Sequence, residues 1–284
     1  MNSTPSIDDR AQEAAAYLKE FFDQPPRFGI ILGTGSGVLA QRIENVQRIE
    51  YQQIPNFPAS TAMGHAGEMI CGTLESQPVI ALNGRFHLYE GHSLDKATLA
   101  VRVMKQMGVE FLIVTNASGG VNPKFKSGEI MIINSHLDLM FRSSPLTTAP
   151  ATEGRPGVRT DAYDHGLAEI AKRCARQNDF VIHSGVYGGM MGPNYETRAE
   201  YRMLRRIGVD VAGMSTIPEV NLAAILGMRI LGLSIVSNVA KPDVLAETSG
   251  QEVIDAAELA APRVYRIVQQ IILQQQQYVI TLAD

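Results

Sequence analysis

The chain has 284 residues, 45% of them hydrophobic and 19% charged, which is the balance of a compact folded protein and not of a disordered or fibrous one. Its 25 Lys and Arg against 29 Asp and Glu give a formal charge of −4, and no basic run offers a track for a phosphate backbone, so nucleic acid is not an expected partner. Two cysteines, Cys71 and Cys174, without a CxxC spacing, leave little for disulfide or zinc chemistry and make a reducing cytoplasm the expected location. The polar, acidic opening stretch lacks the basic start and apolar run of a signal peptide. The most apolar later stretch, 220–236, is interrupted by Asn221 and Arg229, so no membrane span is expected.

Residues 11–22 place Ala14, Ala15, Leu18, Phe21 and Phe22 on one helical stripe that ends before Pro25 and Pro26. Apolar runs of strand length follow at 28–32, 79–82, 111–115, 130–133, 181–187, 210–214 and 229–236, several of them apolar at consecutive positions, as strands covered on both faces are. Between them, Ser93 can cap a helix over 94–107 that stops at Gly108. Thr197 and Glu200 form a T-x-x-E capping box for 198–207, stopped by Gly208, and Thr216 and Glu219 repeat the box before a helix that Gly227 ends. The alternation predicts an α/β fold. With no break in composition, 1–284 reads as a single domain with a helical lead over 1–27, a long Pro/Thr/Gly-rich loop over 142–160 and a C-terminal helix over 251–277. Pro262 should kink that helix, and the glutamines at 274–277 should fray into solvent.

In open α/β sheets ligands bind beyond the carboxyl ends of the strands. The segment after 28–32 is Gly33-Thr34-Gly35-Ser36-Gly37, whose N–H groups and Thr34 hydroxyl suit an anion; it suits equally a tight strand-to-helix turn. It lacks the lysine of a P-loop and the spacing of a dinucleotide fingerprint. Arg85 and His87, just past 79–82, and Ser215, at the start of a helix, offer further anion ligands. Each also has an ordinary reading, as a surface pair, a core histidine and an N-cap. On the anion reading, Arg85→Ala raises the phosphate KM much more than it changes thermal stability. A second set suits a polar ring: Tyr195 to stack, Glu196 to accept from a ring N–H, and Asn238 to donate and accept. Taken singly, Glu196 is also a favourable acid near a helix start, and Asn238 an ordinary turn residue. The six histidines show no metal spacing and no GxSxG occurs, so neither a metal site nor a triad hydrolase is expected.

The strings IPNFPASTAMGHAG, NGRFHLYEGH, TNASGGVNPKF, GPNYETRAEYRMLRRIGVDVAGMSTIPEV and the closing SN, in this order between Gly29 and Asn238, resemble the trimeric-type purine nucleoside phosphorylases. The resemblance implies a three-layer fold with a central mixed β-sheet flanked by helices, and a homotrimer. It implies reversible phosphorolysis of 6-oxopurine nucleosides such as inosine and guanosine, with inorganic phosphate as co-substrate and no cofactor. Carried onto matching positions, Thr34, His65, Arg85, His87, the backbone of Ala117, and Ser215 would hold phosphate, and Tyr89 and Met214 would line the ribose. Ala117, Tyr195, Glu196 and Asn238 would face the base, with Asn238, Glu196 and His87 in the catalytic roles. Two positions depart from the family. Gly250 stands where a histidine meets the ribose 5′-hydroxyl, and Pro156 stands where an aromatic ring reaches a neighbouring subunit's site.

A 5′-methylthioadenosine phosphorylase shares these loops but carries an aspartate near Asn238 and a threonine at Ser215. A nucleoside-binding relative without turnover has no reason to keep Arg85, His87, Glu196 and Asn238 together.

Overall fold

A computed structural model describes residues 5–35, 37–59, 66–141, 161–240 and 249–283, with side chains as far as Gln276. Ser36, His65, Pro156 and the 142–160 loop lie outside the described residues.

Helix α1 (Ile7–Lys19) begins before the apolar stripe because Ser6 caps it. The Ser6 hydroxyl accepts from the Asp9 N–H at 3.1 Å, while the Asp9 carboxylate accepts from the Ser6 N–H at 3.0 Å. Strand β1 (Phe28–Leu32) is buried throughout and lies between β4 (Gln77–Asn83) and β5 (Phe111–Gly120), both parallel to it. Beyond β4 come two antiparallel strands, β3 (Glu68–Leu74) and the outermost β2 (Glu44–Glu50), which the apolar runs did not predict. Between β1 and β2 sits the short α2 (Gly37–Ala40). On its other side β5 enters a closed ring with β8 (Val211–Gly213), β7 (Ile182–Gly189), β6 (Ile130–Asp138) and β9 (Arg229–Val239), where β9 pairs back onto β5. The sheet is mixed, and it is not wholly open as the ligand argument assumed: one half is an open wing and the other a five-stranded ring.

Helices cover both faces. Residues of α1, α3 (Leu94–Gln106) and α6 (Ile217–Ile225) share one core with Ile31 of β1, while α2, α4 (His165–Gln177) and α7 (Gly250–Ala283) share another with Phe28, Ile30 and Leu32. The period-2 alternation of β1 thus feeds both cores, which makes the three layers. Helix α4, capped by Asp164, was not read from the sequence; α5 (Arg198–Arg206) has its expected Thr197–Glu200 box. Helix α7 runs unbroken through Pro262. Its glutamines at 274 and 275 are not a solvated fray: Gln275 is buried and accepts from Arg229 at 3.3 Å, and Gln274 accepts from Arg173 at 2.7 Å.

Candidate active site

The site lies where β5 changes partners. Its residues up to Val114 pair with β1, and Gly119 and Gly120 pair with β8. Between these, along one edge, Thr115, Asn116, Ala117 and Ser118 have no strand neighbour. There the Thr115 carbonyl accepts from Arg85 Nη2, and the Thr115 side-chain Oγ1 accepts from the Gly33 N–H at 3.0 Å. Residues 116–120 and 237–238, past the apolar runs at 111–115 and 229–236, still belong to β5 and β9. Across them the register slips, so that Ser118 faces Val236 but Gly119 faces Asn238. Ser237 is therefore the extra residue of a bulge, a device that re-aims neighbouring side chains. Its hydroxyl donates toward the Ser118 carbonyl at 3.0 Å and toward Asn238 Oδ1 at 2.9 Å, fixing the Asn238 amide.

A cleft of about 140 Å³ opens at this gap. Every described residue assigned a site role from the sequence lines it: Thr34, Arg85, His87, Tyr89, Ala117, Tyr195, Glu196, Met214, Ser215 and Asn238. Tyr89 and Met214 meet across Gly192, where a Cβ would stand 2.4 Å from the Met214 sulfur and 3.1 Å from the Tyr89 ring. Tyr195 lines the cleft with half its surface exposed. Gly250 begins α7 in open space and is not part of the lining; Val253, one turn on, is.

The anion end is more heavily buttressed than the sequence suggested. Arg85 is 2% exposed, and besides Thr115 it donates to Thr216 Oγ1 at 3.1 Å and stands 3.5 Å from the Glu219 carboxylate. This corrects the expected Thr216–Glu219 capping box. Thr216 sits at φ +73 and makes no side-chain cap; its hydroxyl instead accepts from Arg85 and, at 2.8 Å, from Asn116. Burial pushes the Glu219 carboxyl up, and Arg85 pulls it part of the way back. Asn116, in turn, accepts from Ser234 at 2.6 Å, so a chain of buried polar groups ties β5, β9 and α6 behind the cleft. Ser215 stands beside Thr216, with 3.2 Å between hydroxyls. His87 is held from both its backbone N–H (2.8 Å) and its Nδ1 (3.0 Å) by Glu90, and its ring stacks on Tyr89 at 4.6 Å. A carboxylate on Nδ1 fixes the imidazole's orientation.

Burial raises the Glu196 carboxyl, its own N–H and the Tyr201 hydroxyl lower it, and its buried Oε1 has no hydrogen-bond partner among the described residues. Sequence reasoning missed Glu90, Asn116, Tyr201, Glu219 and Ser234. For Asn116 and Ser234 the usable signal was a polar residue inside an otherwise apolar strand, which a strand buried on both faces tolerates only when it finds a partner; Glu90, Tyr201 and Glu219 lie on helical elements and carried no such signal.

No group of three or more His, Cys, Asp or Glu suited to a metal occurs among the described residues, and none of their helices is long and apolar enough to cross a membrane.

Residues 27–273 match the family model described as Phosphorylase superfamily. The chain is 45% identical over 269 residues to purine nucleoside phosphorylase 1 of Bacillus subtilis, covering 94% of this chain and 99% of that one. Two crystal structures of purine nucleoside phosphorylase from Schistosoma superpose with TM-scores of 0.83. One, in complex with hypoxanthine, is 34% identical and covers 95% of this chain and 98% of its own; the other, in complex with adenosine, is 36% identical, with 92% and 95% covered. With fold and sequence in agreement along nearly the whole length, the chain belongs to the phosphorylase superfamily, in its purine nucleoside phosphorylase family.

Proposed function

We propose that the protein is a purine nucleoside phosphorylase acting on 6-oxopurine ribo- and deoxyribonucleosides. The observation that carries this reading is that groups suited to a tetrahedral anion (Gly33, Thr34, Arg85, His87, Ser215) and groups suited to a purine edge (Glu196, Asn238) line one cleft, with Tyr89 and Met214 against the same wall.

An oxygen of monohydrogen phosphate forms a bond to the anomeric C1′ as the C1′–N9 bond breaks. The purine leaves with the electron pair, and the hydrogen given up by phosphate ends on the base; the products are free base and ribose 1-phosphate. No covalent protein nucleophile is needed, since holding two reactants in line removes most of the entropic barrier. Thr34, Ser215, the Ala117 backbone, Arg85 and His87 hold phosphate, and His65, outside the described residues, is assigned there too. Glu196 accepts from purine N1–H and sets the ring's orientation. Asn238 binds the O6/N7 edge, a bond that strengthens as negative charge grows on the leaving base. The reaction needs no cofactor, and the enzyme works as a cytoplasmic homotrimer. The free, buried thiols of Cys71 and Cys174 fit a reducing compartment, and Phe141, 89% exposed at the end of β6, fits a subunit contact.

The test compares inosine, guanosine, adenosine and methylthioadenosine with and without phosphate. Phosphate-dependent release of hypoxanthine and guanine with ribose 1-phosphate is expected. Equal activity on inosine and adenosine refutes the oxopurine reading, and no phosphate dependence refutes phosphorolysis.

A further inference from the structure

Glu196 and Tyr201 occupy the N′ and N4 positions of α5, on either side of the Thr197–Glu200 capping box. At these two positions a helix ordinarily closes its start with an apolar contact, the hydrophobic staple. Here the pair is a carboxylate and a phenol, and both line the cleft. The Tyr201 ring packs against the small apolar cluster of Val121, Leu204, Val209 and Ala212, so its position is set from below. Its hydroxyl reaches up under Gly119, where a Cβ would stand 3.2 Å from Oη and 3.7 Å from Asn238 Oδ1. Gly119 is thus the gap through which the phenol reaches the base end of the cleft.

We infer that Tyr201 is a positioning residue for base choice: its O–H donates to the Glu196 carboxylate, holding it ionised with an oxygen aimed at the purine N1 position. The inference rests on the purine phosphorylase reading above. An ionised carboxylate accepts from the N1–H of a 6-oxopurine. It repels the N1 lone pair of adenine, which a protonated Glu196 would welcome as a donor. Which of these two states Glu196 keeps therefore sets the discrimination, and the neighbours of Glu196 decide it. Glu200 on the same helix disfavours the charge, burial disfavours it more, and the Tyr201 hydroxyl favours it. Tyr195 is the other titratable group beside the pair; β5 and β9 present Gly119 and Asn238, which do not titrate. Among the described residues, loss of the phenol leaves the backbone N–H of Glu196 itself as the group that favours the charge.

Tyr201→Phe keeps the ring and removes only the hydroxyl. Expected is a fall in kcat/KM for inosine of about tenfold, the scale of one hydrogen bond to a charged group, with adenosine changed much less. The acid limb of the inosine profile should move to higher pH, because a carboxyl deprived of its donor takes a proton more readily. In a Glu196→Gln background the same substitution should cost less than about twofold, since coupled partners are not additive. An unchanged inosine-to-adenosine ratio with an unmoved acid limb overturns the inference, as does an equal loss in both backgrounds, which would make Tyr201 a packing residue. These outcomes are separate from failure of the parent reading, which would appear in the unsubstituted protein as no phosphate-dependent cleavage of inosine.

Discussion

Arg85→Ala tests whether the anion end is a set of ligands or also part of the framework. The guanidinium makes two hydrogen bonds to buried acceptors, Thr216 Oγ1 and the Thr115 carbonyl, and is the cation facing Glu219 at 3.5 Å. Removing one partner of a buried pair costs roughly 3–5 kcal/mol, because the other charge is left without compensation. At about 2–4 °C per kcal/mol for a chain of this size class, the midpoint should fall by roughly 10 °C. The loss should depend on pH in a defined direction. Glu219 already sits above the ordinary glutamate range through burial, and without Arg85 it rises further. Between the unfolded and folded values the folded state binds more protons, so the variant loses stability as pH rises through that window. The deficit against the parent protein should therefore be smaller near pH 5 than near pH 8, on top of a pH-independent loss from the two hydrogen bonds. Thermal unfolding at both values, at one protein concentration and with and without phosphate, gives the comparison, alongside the phosphate KM. A raised KM with an unchanged midpoint at both pH values would refute the structural half of the argument and return Arg85 to the simpler role read from the sequence.

Asn238→Asp should shift preference toward adenosine, because a carboxylate accepts from a 6-amino group and repels a 6-oxo group; relative kcat/KM for inosine and adenosine measures it, and an unchanged ratio removes Asn238 from base choice. Gly35→Ala should destabilise the fold by about 3 kcal/mol, read as a lower midpoint: Gly35 is at φ +74, and a Cβ there would stand 2.2 Å from Ala257 Cβ on α7, so strain and overpacking add. With Gly250 in open space at the cleft's margin, 5′-deoxyinosine should be cleaved nearly as efficiently as inosine, and Gly250→His should widen the gap between the two; strong discrimination by the unsubstituted protein would mean another residue already meets the 5′-hydroxyl.

What the sequence made legible follows the strength of each local signal. β1 and α5 were marked at both ends, by a fully apolar run and by a capping box with Gly208 beyond it, and appear almost where expected. β2 was invisible because Glu44, Gln47, Arg48 and Glu50 are exposed, leaving Ile49 as its one buried side chain. β5 and β9 were cut short where Asn116 and Ser237 begin, since the polarity of Asn116, Ser118, Ser237 and Asn238 reads as a loop until their hydrogen bonds are seen. Those truncated ends are the site. The same residues that carry its chemistry broke the apolar pattern. Thr216 and Glu219 misled in the opposite way: the T-x-x-E spacing is a capping signal, but a buried guanidinium between β5 and α6 outbids a helix N–H for the threonine hydroxyl.

Closure of the strands into a ring has a bearing on self-association. An open sheet ends in two rows of unpaired N–H and C=O groups, each a template on which a strand of another molecule can add. Here β9 returns to β5, so the ring half has no outermost strand, its gap being the short stretch Thr115–Ser118, and among the described strands β2 alone forms an outer margin of the sheet. That margin is poorly suited to templating: it carries Glu44, Arg48 and Glu50, is irregular between Glu44 and Gln47, and places Asn45 at φ +50. The charges and the bend both oppose a flat, dry pairing of the kind that seeds aggregation. The sheet thus protects its long apolar strands by topology on one side and by composition on the other, and the polar sequence that hid β2 from pattern reading is what lets it serve as a boundary.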